Sequence, residues 1–68
     1  MEATFTANGK ARTATPGMTV ADLLASANLT PLQVFVEYNG EPLPRERFAA
    51  TPIEAGDRIE IAQMVGGG

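Results

Sequence analysis

The chain has 68 residues and a formal net charge of −3, which predicts one small, mildly acidic domain with a thin core. It contains no cysteine and no histidine, which excludes disulfides, thiolate chemistry, histidine acid–base catalysis and the usual nitrogen and sulfur ligands of metals. Because no run of Lys or Arg occurs and no apolar segment is long enough to span a bilayer, the sequence argues against nucleic-acid binding and against a membrane span.

The N-terminal segment predicts a β-hairpin. Residues 2–7 read as a strand with Phe5 pointing inward, and residues 10–15 read as a second, partly exposed strand. Asn8-Gly9 lies between them, and this dipeptide favours a two-residue hairpin turn because both positions tolerate a positive φ. The start of the chain lacks the basic and apolar stretches of a signal peptide, so we expect a cytoplasmic protein.

A short helix is predicted next, beginning at Thr19 and ending near Ala27. The Thr19 hydroxyl and the Asp22 carboxylate have the spacing of a reciprocal cap, and Met18 is placed to pack on Leu23. Asn28 suits a left-handed cap that ends the helix. The predicted apolar face follows helical spacing and comprises Val20, Leu23, Leu24 and Ala27.

The second half predicts two strands joined by an irregular crossover. Residues 34–38 form the first strand, and alternation places Phe35 on the face opposite Val34, Val36 and Tyr38. Pro42 and Pro44 follow the turn at Asn39-Gly40 and predict irregular backbone. A single helical turn is expected over residues 45–49, with Phe48 in the core and Ile53 as an isolated anchor. Residues 58–64 form the last strand, with Ile59 and Ile61 on one face.

These elements predict an α+β fold with two layers around one core. A hairpin, a helix and two later strands in this order fit a β-grasp, ubiquitin-like fold, in which one mixed sheet carries the helix across one face. We expect residues 1–68 to form a single domain, with residues 65–68 as a mobile reactive tail, because glycine keeps wide backbone freedom.

The candidate reactive group is the α-carboxylate of Gly68. The acidic side chains lie singly or flank turns, so each is expected to be a solvated surface group, and no set of them predicts a metal site. Gly66, Gly67 and Gly68 precede no helix and no lysine, which argues against a phosphate-binding loop. A glycine tail can instead enter a narrow cleft in another protein, and its carboxylate is a poor electrophile that requires activation, most simply as an acyl-adenylate made from ATP.

A second candidate site is the sheet face that carries Phe35. An exposed Phe35 is either an isolated apolar residue, which is normal on protein surfaces, or part of a partner surface shared with Ala62, Met64 and Val65. The sequence leaves both interpretations open.

Three segments resemble the ThiS-like sulfur carrier proteins of thiamine biosynthesis, which belong to the MoaD/ThiS group of β-grasp proteins. Residues 57–68 read DRIEIAQMVGGG and resemble the family's last strand and Gly-Gly end. Residues 36–48 resemble its strand, turn, proline–arginine and aromatic stretch, and residues 16–24 resemble its helix entry. One departure is a third glycine, Gly66, where a larger small residue is common.

The resemblance implies a carrier rather than an enzyme, with no bound cofactor. An adenylating enzyme of the ThiF type would use ATP and magnesium on the Gly68 carboxylate, and sulfur from a cysteine-derived persulfide would then give a thiocarboxylate. The acceptor would be a ThiG-like thiazole synthase. A carrier for molybdopterin or another pathway, a ubiquitin-like protein modifier and an interaction module remain alternatives from the residues alone.

Overall fold

The computed structural model describes residues 2–64. Five strands and one α-helix occur there, in the order β1 Ala3–Ala7, β2 Lys10–Ala14, α1 Val20–Ser26, β3 Val34–Tyr38, β4 Glu41–Leu43 and β5 Arg58–Gln63. Two 3₁₀ segments, Pro31–Gln33 and Arg45–Ala50, lie in the connections. All predicted elements are present.

The five strands form one mixed sheet in the order β2-β1-β5-β3-β4. β1 and β5 pair in parallel at the centre, whereas β1–β2, β3–β5 and β3–β4 are antiparallel. The helix covers one face through the buried Val20, Leu23 and Leu24. This arrangement is the β-grasp fold, as predicted.

Local sequence signals produce the first hairpin turn and the beginning of the helix. Asn8 and Gly9 have φ values of 52° and 82° and join β1 to β2, as the hairpin signal predicted. The Thr19 hydroxyl accepts from the Asp22 amide at 3.2 Å, and the Asp22 carboxylate accepts from the Thr19 amide at 2.9 Å. This reciprocal cap fixes the beginning of α1.

The helix ends slightly earlier than its apolar pattern suggested. Its last residue is Ser26, and Asn28 takes the left-handed conformation with φ 59°. Ala27 was predicted on the buried face but is exposed. It occupies the C-cap, where the chain leaves the helix, and so it does not continue the stripe that Leu23 and Leu24 begin.

The predicted irregular crossover contains a short strand that the sequence did not reveal. Pro42 lies in β4, opposite Glu37 of β3. Proline lacks the amide hydrogen of a sheet ladder, but β4 is the edge strand, where an amide can face away from the sheet. The proline is therefore tolerated there, and the prediction of irregular backbone at Pro42 was wrong.

The core lies between the helix and the inner face of the sheet. Phe48 and Ile53 are buried in it, as expected, and Ile61 packs against its rim. Its buried members are Phe5, Ala7, Ala14, Val20, Leu23, Leu24, Val34, Val36, Phe48, Ile53 and Ile59. The opposite face of the sheet is left uncovered within residues 2–64 and carries exposed members of β3 and β5.

Candidate functional site

The central strand β5 leads toward the predicted reactive end. β1 pairs with its first residues and β3 pairs along its length, through to the pair Val34–Gln63. The Met64 amide then donates to the Gln33 carbonyl at 2.8 Å, so the pairing with the β3 side extends one residue past the strand. The predicted site residues Val65, Gly66, Gly67 and Gly68 lie outside the described residues.

Asn8 extends the hydrogen bonding between the N-terminal hairpin and β5. Its amide donates to the Ile59 carbonyl at 2.9 Å. Its side chain then accepts from the Ile61 amide at 2.7 Å and donates to the Ile61 carbonyl at 3.1 Å. The side-chain amide thus acts as one further residue of β1, at the point where the main chain of β1 has already turned into the hairpin.

Asn39 holds the other end of β5 in a similar way. Its main-chain amide donates to the Arg58 carbonyl, and its side-chain oxygen accepts from the Arg58 amide, each at 2.8 Å. Its side-chain nitrogen donates to the Asp57 carboxylate at 3.1 Å. Asn8 and Asn39 share a left-handed backbone, with φ values of 52° and 54°, and each is followed by a glycine.

The uncovered face of the sheet brings the predicted partner residues together. Phe35 is 66% exposed and pairs directly with Ala62, which is also exposed. Met64 is 42% exposed, and strand alternation places it diagonal to Phe35. Phe35, Ala62 and Met64 therefore form an apolar patch beside the end of β5; their role in binding a partner stays a prediction.

Charged residues border this patch on the same face. Glu37 of β3 pairs directly with Glu60 of β5, and both side chains are exposed. Like charges directly opposite each other in a sheet are unfavourable. Arg58 lies on the same face of β5, and its guanidinium lies beside Gly40. A Cβ atom at Gly40 would be 3.7 Å from this guanidinium. A surface depression is lined by these residues together with Phe35, Ala62, Asn8 and Ile61.

Tyr38 and Asp57 tie the beginning of β5 to the loop before it. The Tyr38 hydroxyl donates to the Asp57 carboxylate at 2.5 Å, and the Glu54 amide donates to the same carboxylate at 2.8 Å. Partial burial is the main cause that raises the pKa of Tyr38 to about 12, and the hydrogen bond to Asp57 is the next largest. Burial acts to raise the pKa of Asp57 as well, but the bonds from Tyr38, Glu54 and Asn39 outweigh it, and this pKa is lowered.

Tyr38→Phe should reduce the decrease in the free energy of unfolding that occurs at alkaline pH. The pKa of Tyr38 is raised in the folded chain, so its contribution is fully present below its ordinary value of 10.0 and is lost as the pH rises toward about 12. Near neutrality the substitution should lower the free energy of unfolding by about 1.5 kcal/mol, because a hydrogen bond to a charged acceptor is lost. Urea unfolding across this pH range measures both effects.

Asp57→Asn provides the complementary control at acid pH. The pKa of Asp57 is lowered by folding, so its contribution is present above the ordinary value of 3.8 and is lost as the pH falls through the folded pKa. The variant should therefore lose less stability on acidification than the wild type. Parallel acid limbs for the two proteins would contradict the role assigned to this carboxylate.

Between residues 2 and 64, no three Asp or Glu side chains are grouped closely enough to hold a metal ion. The helix present in that range is too short to cross a membrane.

Two features of this region were missed from the sequence. The dipeptides Asn8-Gly9 and Asn39-Gly40 were interpreted as turns, which is correct, but their side chains also bind β5. The local sequence carries no signal for this, because the partner Ile61 is remote from Asn8 along the chain. The pairing of Glu37 with Glu60 likewise depends on the register of β3 and β5.

Comparison with known proteins places this geometry in a family. The sequence profile of the ThiS family matches residues 5–68. The chain is also 36% identical over 61 residues to a thiazole synthase of Paramagnetospirillum magneticum and 33% identical over 61 residues to one of Magnetococcus marinus. Each match covers 90% of this chain, which spans 19% of the length of those relatives.

Solved structures agree with the sequence match. The crystal structure of the thiamine biosynthesis protein ThiS from Geobacter metallireducens is 38% identical, with a TM-score of 0.73, over 96% of this chain and 99% of that one. A solution structure of a thiamine biosynthesis protein from the same organism gives a TM-score of 0.75 at 38% identity, over 96% and 87% of the two chains. With the profile match across nearly its whole length, the chain belongs to the ThiS family.

Proposed function

We propose that this chain is a sulfur carrier that delivers sulfur for thiazole formation in thiamine biosynthesis, with the Gly68 carboxylate as the carrying group. The observation that carries the proposal is the ThiS-family match, which runs through the glycines to residue 68. The side-chain inventory supports it, because a chain without cysteine or histidine has few groups for chemistry of its own. The chain then acts as a co-substrate of other enzymes rather than as an enzyme.

The first step of the proposed cycle activates the carboxylate. A carboxylate oxygen of Gly68 attacks the α-phosphorus of ATP, pyrophosphate leaves, and a mixed anhydride with AMP forms. A ThiF-like adenylating enzyme supplies the site, and its magnesium ion offsets the phosphate charge. A terminal glycine suits this step because no side chain crowds the carbonyl under attack.

The second step replaces oxygen by sulfur. The terminal sulfur of a cysteine-derived persulfide attacks the activated carbonyl, and AMP leaves with the electron pair of the broken bond. A thiol then cleaves the sulfur–sulfur bond of the resulting acyl disulfide, forms a disulfide with the donor's sulfur, and leaves a thiocarboxylate on Gly68. The product is a nucleophile held at the end of the chain.

The proposed acceptor is a ThiG-like thiazole synthase. Support comes from the two thiazole synthases, each of which contains a segment similar to 90% of this chain within a much longer protein. Such a segment within a thiazole synthase would keep a carrier close to its acceptor. We propose that this chain meets such an acceptor in the cytoplasm.

The proposed docking surface for these partners is the apolar patch of Phe35, Ala62 and Met64, continued by Val65. Its support is position, because the patch adjoins the end of β5, from which the chain continues to Gly68. A partner that binds this patch would also hold the strand that leads to the glycines. Exposed aromatic side chains are typical anchors of protein interfaces.

The test is the intact mass of the chain after incubation with ATP, magnesium, a persulfide donor, a thiol and an adenylating enzyme of the ThiF type. We expect a gain equal to the exchange of one oxygen atom for sulfur, followed by its loss when thiazole synthase and its substrates are added. No gain, with an enzyme that is active on a known carrier, would contradict the proposal. Stable conjugates to lysines of other proteins would favour a protein modifier instead.

A further inference from the structure

We infer that Asn8 is a positioning residue that sets the direction in which the chain leaves β5 toward the glycines. This inference rests on the proposed function, and it adds to it a residue from the opposite end of the chain. Among residues 2–64, the two bonds between the Asn8 side chain and Ile61 are the last hydrogen bonds that join the N-terminal hairpin to β5.

The geometry explains why this contact matters at this place. The main-chain pairing of β1 with β5 comprises Thr6–Arg58 and Ala7–Ile59, after which β1 turns away at Asn8. Without the Asn8 side chain, the Ile61 amide and carbonyl would lose their partner on that side. The end of β5 would then be held by hydrogen bonds to β3 and Gln33 alone. Two-sided pairing fixes both the position and the direction of a strand end.

The short reach from this strand end to the reactive group makes a well-held strand end important. Four residues follow Met64, and an extended chain of that length reaches at most about 14 Å. Loss of the Asn8 bonds would release Ile61 and the residues that follow it from the hairpin, so a longer segment would have to be ordered to bring Gly68 to the reaction site. Reacting atoms must approach to about 3–3.5 Å, so loosening of the strand end lowers the fraction of bound chains that can react.

Asn39 supplies a matched control within the same strand. Like Asn8, it has a left-handed backbone, precedes a glycine and holds β5 by main-chain and side-chain bonds, but it does so at Arg58, the first residue of the strand. Asn8→Gly and Asn39→Gly each remove a side-chain clamp while the backbone keeps a residue suited to positive φ. Asn8→Asp retains the acceptor for the Ile61 amide but places a carboxylate oxygen against the Ile61 carbonyl, so it should also weaken the contact with β5.

The experiment compares steady-state adenylation by the activating enzyme, followed as pyrophosphate release, with amide hydrogen exchange in the same variants. In Asn8→Gly we expect about fivefold faster exchange at Ile61 and about fivefold lower kcat. KM should change little, because Phe35, Ala62 and Met64 keep their side chains. Asn8 lines the same depression as Phe35 and Ala62, so a raised KM with unchanged kcat would assign Asn8 to docking and overturn the positioning role. In Asn39→Gly the faster exchange should move to Arg58, and kcat should stay at the wild-type value. A loss of stability alone would not separate the two variants in this way.

Two further results would overturn the inference. If Asn8→Gly exchanges faster at Ile61 but keeps the wild-type kcat, Asn8 clamps the strand without directing the tail, and the proposed function stands. If both variants lose kcat equally, the effect is one of general stability. Failure of an active enzyme to adenylate the wild-type chain is a different outcome: it overturns the proposed function, and the positioning role with it.

Discussion

Deletion of Gly68 is expected to abolish sulfur loading and to leave the denaturation midpoint unchanged. The shortened chain still ends in a glycine carboxylate, but that group lies one residue, about 3.5 Å, short of its required position. Because the reacting atoms must come within about 3–3.5 Å of each other, the loss should be complete or nearly so. The fold should survive, since the buried residues found between residues 2 and 64 run from Phe5 to Ile59.

A length-preserving substitution is the matched control for this deletion. Gly66→Ala keeps both the length of the chain and the terminal Gly67-Gly68 pair, so we expect loading to continue. Intact mass after the loading reaction and urea unfolding are measured on both variants. Sulfur gained by the truncated chain would exclude Gly68 as the carrying residue, whereas a lowered midpoint would show that the last residue contributes to the fold.

Leu24→Ala is expected to have the largest effect on stability. Leu24 is completely buried between α1 and the sheet, and its truncation leaves a cavity that a small core cannot close. Comparable truncations cost about 2–5 kcal/mol. A domain of this size has a total stability of roughly 3–10 kcal/mol at the usual 0.05–0.15 kcal/mol per residue, so the substitution should remove a large share of the free energy of unfolding.

Leu32→Ala removes the same atoms from the surface and is the control for this prediction. Leu32 is 63% exposed in the first 3₁₀ segment, so its truncation should change the free energy of unfolding by less than about 0.5 kcal/mol. Urea unfolding followed by circular dichroism compares both variants with the wild type. Equal midpoints for Leu24→Ala and Leu32→Ala would contradict the assignment of the helix face to the core.

The parts of the fold that were predicted correctly are those with local causes. The turn at Asn8-Gly9, the Thr19 cap and the alternation of residues 34–38 each depend on neighbours in the sequence. The β4 strand was missed because Pro42 is unfavourable in a ladder and becomes acceptable only at a sheet edge. That position is decided by the whole topology, which a local pattern does not contain.

In the candidate site, too, only the features with local causes were predicted. Alternation placed Phe35 opposite Val34 and Val36, and the structure confirms its exposure. Its pairing with Ala62 depends on the register between two strands that lie far apart in the chain. Tyr38 and Asp57 meet for the same reason: the strand and the turn were both predicted, but the hydrogen bond between them arises from the path of the loop that returns the chain to β5.

The parallel pair at the centre of the sheet has a consequence for how the protein is made. Thr6 and Arg58 stand side by side although they come from opposite ends of the described chain, so the contact order of the fold is high for its size. On the ribosome, the first hairpin and the helix must wait for β5 before the sheet can close. Folding should therefore be completed only after synthesis has passed the last strand, and nascent chains that stop earlier should be substrates for chaperones and proteases.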